Sequence, residues 1–69
     1  MTTINIDDKI VDCKDLSSAK STIMNHLNSK KKKGHKIKAY RLGSQATENN
    51  YWTLVDKDSQ EVAFGKIYN

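Results

Sequence analysis

Apolar and polar residues alternate near both ends of the chain and recur at helical spacing between them. Over residues 2–6, Thr3 and Asn5 interleave with Ile4 and Ile6, a period of two that predicts a short strand with the isoleucines on its inner side. Asp7-Asp8 interrupts the pattern, and residues 9–13 set Ile10 beside Val11. That segment reads equally as a second strand returning through a tight Asp-Asp turn or as an irregular lead-in. From Leu16 the period changes. Leu16, Ala19, Ile23, Met24 and Leu27 fall within one stripe roughly 140° wide at about 100° per residue, which predicts a helix over 16–33 lying on a sheet. Asp15 is placed to cap it, because its carboxylate accepts from first-turn amides and suits the positive end of the helix dipole. Gly34 is placed to end it, since a left-handed residue past the last turn is cheap only for Gly, and the lysines before it complement the dipole's negative end. The outer helix face carries Ser18, Ser21, Thr22, Asn25, Asn28 and Ser29, polar but nearly uncharged.

Alternation resumes over 36–42, with Ile37 and Ala39 on one side and Lys36, Lys38 and Tyr40 on the other. Residues 43–50, rich in Gly, Ser, Gln, Thr and Asn, predict a loop. Residues 51–56 and 61–68 are aromatic and β-branched and predict an antiparallel hairpin. A three-residue loop over 57–59 sets Trp52 opposite Phe64 and Leu54 opposite Val62, making one strongly apolar face. Tyr51, Thr53, Val55, Ala63 and Ile67 then share the other. The expected architecture is α+β: a two-layer sandwich with one helix on an antiparallel sheet of three to four strands, in the order β(β)αβββ, forming a single small domain over 1–69.

Composition adds two constraints. A chain of 69 residues is one domain at most, and a domain of this size buries only about 60% of its unfolded surface. Apolar residues without Gly make up 36%, and even with the three glycines added the chain stays below the about 45–50%, Gly counted, of ordinary globular domains. So lean a core invites completion by a partner or by a second copy in a homodimer. The lone Cys13 has no internal disulfide partner, and no apolar run is long enough for a signal peptide or a membrane span, which together predict a cytoplasmic, reducing setting with no membrane partner.

Charge changes the picture most. Residues 16–47 hold Lys20, Lys30, Lys31, Lys32, Lys33, Lys36, Lys38 and Arg41 with no acid, a sum of +8, while 1–15 and 48–69 each sum to −2. The net +4 therefore conceals a basic centre between acidic ends. A solubilising surface normally mixes both signs, so this tract predicts a docking surface for a partner of opposite charge. Its candidate residues are Lys30, Lys31, Lys32, Lys33, His35, Lys36, Lys38, Tyr40 and Arg41. The lysines and arginine would neutralise phosphates, with Tyr40 and Tyr51 available to stack on bases. The plain alternative is a solvated helix end that keeps a small protein soluble.

Other chemistry finds little support. Cys13, His26 and His35 lack the paired spacings of zinc sites, so no metal is expected. A Cys13–His pair has no supporting elbow or Gly-rich frame, and a free Cys is more often a small buried apolar group. Asp7-Asp8 and Asp56–Asp58 fall at turns, where Asp bonds its own backbone. No Gly-rich phosphate loop exists, so no cofactor is expected. Trp52 reads as core. A Lys-rich helix end also occurs in double-stranded RNA binding domains, but there it opens a helix after the sheet, whereas here it closes one before it. The expected function is a small non-enzymatic binding module, most simply one that binds RNA or DNA without strong sequence preference. Its rival is a protein modulator of phage or mobile-element type that inhibits an acidic or nucleic-acid-handling host protein.

Overall fold

In the computed structural model, residues 1–43 and 49–68 are described. The chain opens with β1 (Thr2–Ile6) and β2 (Lys9–Cys13), paired antiparallel with Ile6 opposite Lys9. Residues 9–13 are thus a strand, and the turn is Asp7-Asp8, with φ 49° and 71°. Two consecutive positive φ values define the mirror-image hairpin turn whose twist matches the strands it joins, and Asp tolerates that region better than most residues.

Helix α1 (Leu16–Lys30) follows, capped as its sequence requires, with the Ser18 N–H donating to Asp15 Oδ1 at 2.8 Å. That bond holds the Asp15 carboxyl below its usual range. Asp15→Ala is expected to fray the first turn, seen as faster amide hydrogen exchange from residues 17–19 with the last turn unchanged; uniform exchange across the helix would contradict it. Ala19, Ile23 and Leu27 are buried against the sheet, and Leu16 and Met24 pack beside them, so the apolar stripe docks as its spacing dictates.

The helix ends at Lys30, three residues short of the expected Lys33, and Lys31 is its extended C-cap. Four adjacent like charges without an interleaved acid repel at helical spacing, and the chain turns instead. His35 N–H donates to Lys32 O at 3.0 Å, enclosing Gly34 at φ 87° in a β-turn. Gly34 therefore serves this turn and not the helix end.

Strands β3 (Lys36–Tyr40), β4 (Tyr51–Val55) and β5 (Glu61–Tyr68) complete one five-stranded antiparallel sheet in the order β2-β1-β5-β4-β3. The sheet exceeds the expected three to four strands because β2 is a true strand and the N-terminal β1 pairs with β5. The expected 43–50 loop lies outside the described residues over 44–48. At its ends, Asn50 carries on the β3–β4 pairing: its N–H donates to Tyr40 O at 3.1 Å and its Oδ1 accepts from Leu42 N–H at 2.7 Å.

The β4–β5 register differs from the expected one by a residue. Val55 faces Glu61 as a three-residue loop demands, but a bulge follows, and Leu54 faces Ala63 while Trp52 faces Gly65. The slip sends Ala63, Gly65 and Ile67 toward the helix and Phe64 to the opposite face. The packing explains it, since α1 lies so close that Ile23 occupies the space where a Gly65 side chain would begin. Phe64 could not fit there. The core is formed by Ile4, Ile6, Cys13, Ala19, Ile23, Leu27, Leu54, Ala63 and Ile67, with Ile37 and Trp52 at its margin.

Candidate functional site

A single helix covers only one face of the sheet. Alternation places Lys36, Lys38 and Tyr40 of β3, Tyr51 and Thr53 of β4, and Phe64, Lys66 and Tyr68 of β5 on the other. Adjacent strands bring their rings together. Tyr40 and Tyr51 lie with centroids 5.7 Å apart, and Tyr51 meets Phe64 edge-on at 6.4 Å. Lys66 Nζ sits 5.3 Å from both the Tyr51 and Phe64 centroids, a cation held over two electron-rich faces. Tyr68 receives a 3.5 Å hydrogen bond from Asn5 Nδ2.

Glu61 anchors this surface. Its Oε2 accepts from the Tyr51 hydroxyl and from Thr53 Oγ1, each at 2.7 Å. The Tyr51 phenol is raised above its ordinary value, first by that hydrogen bond and then by burial, so it stays a neutral donor. Thr53, a buried polar side chain, is satisfied by the same carboxylate.

The nine residues singled out as a docking surface divide among four places. Lys36, Lys38 and Tyr40 share the open sheet face, on the edge strand. Lys31, Lys32 and Lys33 are exposed in the link from α1 to β3, and Arg41 is exposed just past β3. His35 is half-buried and tied into the turn, its Nδ1 accepting from the Lys32 N–H at 3.3 Å. Lys30 looks elsewhere. With Lys9 it borders a cavity of about 350 Å³ lined also by Ile6, Asp7, Val11 and His26, on the helix side near the β1–β2 turn. Among the described residues, no carboxylate forms an ion pair with Lys31, Lys32, Lys33, Lys36 or Lys38.

Two features escape a reading of the sequence. Phe64 and Lys66 join the open face only because of the bulge, which no residue type at Val62 announces. Asp7 does more than turn the chain: its Oδ1 accepts from Phe64 N–H at 2.8 Å and its Oδ2 meets His26 Nε2 at 2.7 Å. Burial raises the Asp7 pKa, but the Phe64 bond, the His26 contact and the charge of Lys30 together hold it below its ordinary value. Both oxygens are occupied in joining the turn to β5 and α1, which makes the pair a structural pin. Cys13 is buried with its Sγ 4.0 Å from Thr22 Oγ1, in keeping with a small core residue. Among the described residues no three His, Cys, Asp or Glu side chains gather as a metal site, and no helix is long and apolar enough to cross a membrane.

No protein-family model, curated protein or solved structure matches the chain. Its chemistry must be read from its own surface. Among the described residues, that surface sets exposed ammonium groups beside aromatic rings on the sheet face away from α1.

Proposed function

We propose that the chain is a small non-enzymatic module of the cytoplasm that binds nucleic acid without strong sequence preference, gripping phosphates along β3 and the link before it. The observation that carries this reading is the placement of Lys36 and Lys38 beside Tyr40 on the sheet face away from α1, next to the exposed Lys31, Lys32 and Lys33. Lysine is a mobile point charge, well suited to phosphate and poorly suited to reading base edges, hence the weak sequence preference. His35 contributes by fixing the turn, and Arg41 extends the cationic edge beyond Tyr40.

Binding of a labelled oligonucleotide, followed by anisotropy over a salt series, tests the reading. The affinity should fall steeply with salt, and the variant Lys31→Ala/Lys33→Ala/Lys36→Ala/Lys38→Ala should flatten the log–log slope by up to about 0.7–0.9 for each phosphate contact removed. An unchanged slope would remove these lysines from the interface.

One observation favours a second reading. The opposite edge strand, β2, exposes Ile10 (63%) on the open face and Val11 (39%) on the helix side, an edge suited to an added strand from a host protein or a second copy. A protein held at this edge would be captured from nuclease-treated lysate in dependence on Ile10 and Val11, whereas an acidic target of the modulator type would depend on the lysines. Sedimentation at several concentrations tests the homodimer.

A further inference from the structure

The basic edge calls for a polyanion, and the rest of the open sheet face distinguishes between its forms. We infer that the partner is single-stranded nucleic acid, whose unpaired bases stack on the exposed tyrosines of this face while its phosphates pass Lys36, Lys38 and Lys66. The inference rests on the nucleic-acid reading above and narrows it.

Geometry disfavours a duplex. Five strands spaced about 4.8 Å apart make a surface about 19 Å across, whereas the major groove is about 12 Å wide and admits a helix or a two-stranded ribbon. The sheet face is too broad to enter it. A duplex also hides the faces of its bases, leaving tyrosine rings nothing to stack on, while single strands offer a π-face at every nucleotide.

Chemistry favours the single strand for the same reasons. Tyr40 on β3 and Tyr68 on β5 are 44% and 48% exposed, large rings presented to solvent on this face. Lys66, 5.3 Å from the Tyr51 and Phe64 rings and two residues before Tyr68 on β5, puts a positive charge on the same face. A phosphate joining two stacked nucleotides would pass that position. The carboxylates sharing the face already accept local bonds: Asp12 from Thr3 Oγ1 at 3.1 Å, and Glu61 from Tyr51 and Thr53. Asp12 lies on β2, two strands from β5 and at the far edge from β3.

The test compares a labelled oligothymidylate of about 12 nucleotides with a duplex of equal length, at low salt, for the parent and for Tyr40→Leu, Tyr68→Leu and Tyr68→Phe, each checked for folding by circular dichroism. The single strand is expected to bind at least tenfold more tightly than the duplex. Each leucine should weaken single-strand binding by roughly five- to a hundredfold and leave duplex binding unchanged, while Tyr68→Phe keeps the parent's affinity. If binding is salt-dependent but the duplex binds as tightly, or if folded leucine variants bind the single strand like the parent, the inference is overturned and the broader nucleic-acid reading stands. If neither form binds at low salt, both are overturned.

Discussion

Gly65→Ala is expected to destabilise the protein by about 1–3 kcal/mol, and Gly65→Val to leave it largely unfolded at room temperature. A Cβ at Gly65 would lie 2.5 Å from Ile23 Cγ2 and 2.8 Å from Ile23 Cγ1. Ile23 has nowhere to go, being fully buried at the centre of the helix stripe. Relief requires lifting α1 from the middle of the sheet, which loosens its neighbours Ala19 and Leu27 as well. For a 69-residue chain, about 0.05–0.15 kcal/mol per residue gives a total stability of only about 3–10 kcal/mol, so the loss is a large share. Urea denaturation followed by circular dichroism measures it. Ile23→Ala alone is expected to cost about 2–5 kcal/mol, and combined with Gly65→Ala it should cost less than the sum, because the new methyl fills the space that Ile23 vacates. A Gly65→Ala midpoint equal to the parent's, or strict additivity in the cycle, would contradict this close approach.

Asp7→Ala is the second large effect, at about 2–4 kcal/mol, from the loss of a charge-assisted bond to a backbone N–H and of the partner of His26. The Phe64 N–H would be left at the end of the β1–β5 pairing, where Ile6 faces Gly65 and Asp7 takes over. The pH dependence has a definite sign. The folded-state pKa of Asp7 lies below the ordinary value of 3.8, because the Phe64 N–H, His26 and Lys30 outweigh the burial that opposes them. Its stabilisation is therefore fully present above the ordinary carboxylate range and is lost as pH falls through the lowered value. Urea midpoints measured from neutral to strongly acid pH should fall less steeply for Asp7→Asn than for the parent at the acid end. Parallel acid limbs would show that the carboxylate bears no such load.

Much of this architecture is legible in the residues, and the exceptions have physical causes. The helix start, its buried stripe and the outward set of Lys36, Lys38 and Tyr40 follow from periodicity and capping, which are local. The β1–β2 hairpin is ambiguous because Asp-Asp is an uncommon pair for a turn with two positive φ values, and Asp7 is held there by Phe64 and His26, far away in sequence. The β4–β5 bulge is illegible for a related reason. The turn at 57–59 sets the pairing of Val55 with Glu61, and the demand of Ile23 for a small residue beneath it resets the pairing beyond. That demand comes from a helix 42 positions earlier (65 − 23). The candidate site inherits the same division. Its lysines are visible as charge, whereas Phe64 and Lys66 enter it only through the shifted register.

Trp52, the one tryptophan, packs at the margin of the core on the helix side, while Tyr40, Tyr51 and Tyr68 occupy the opposite side. The sheet thus separates two fluorophores by role. Indole emission, excited at wavelengths that phenols do not absorb, follows the integrity of the interior from the side away from the tyrosines. A spectroscopist can therefore watch unfolding in one channel while occupancy of the other side changes, with no label attached to the protein.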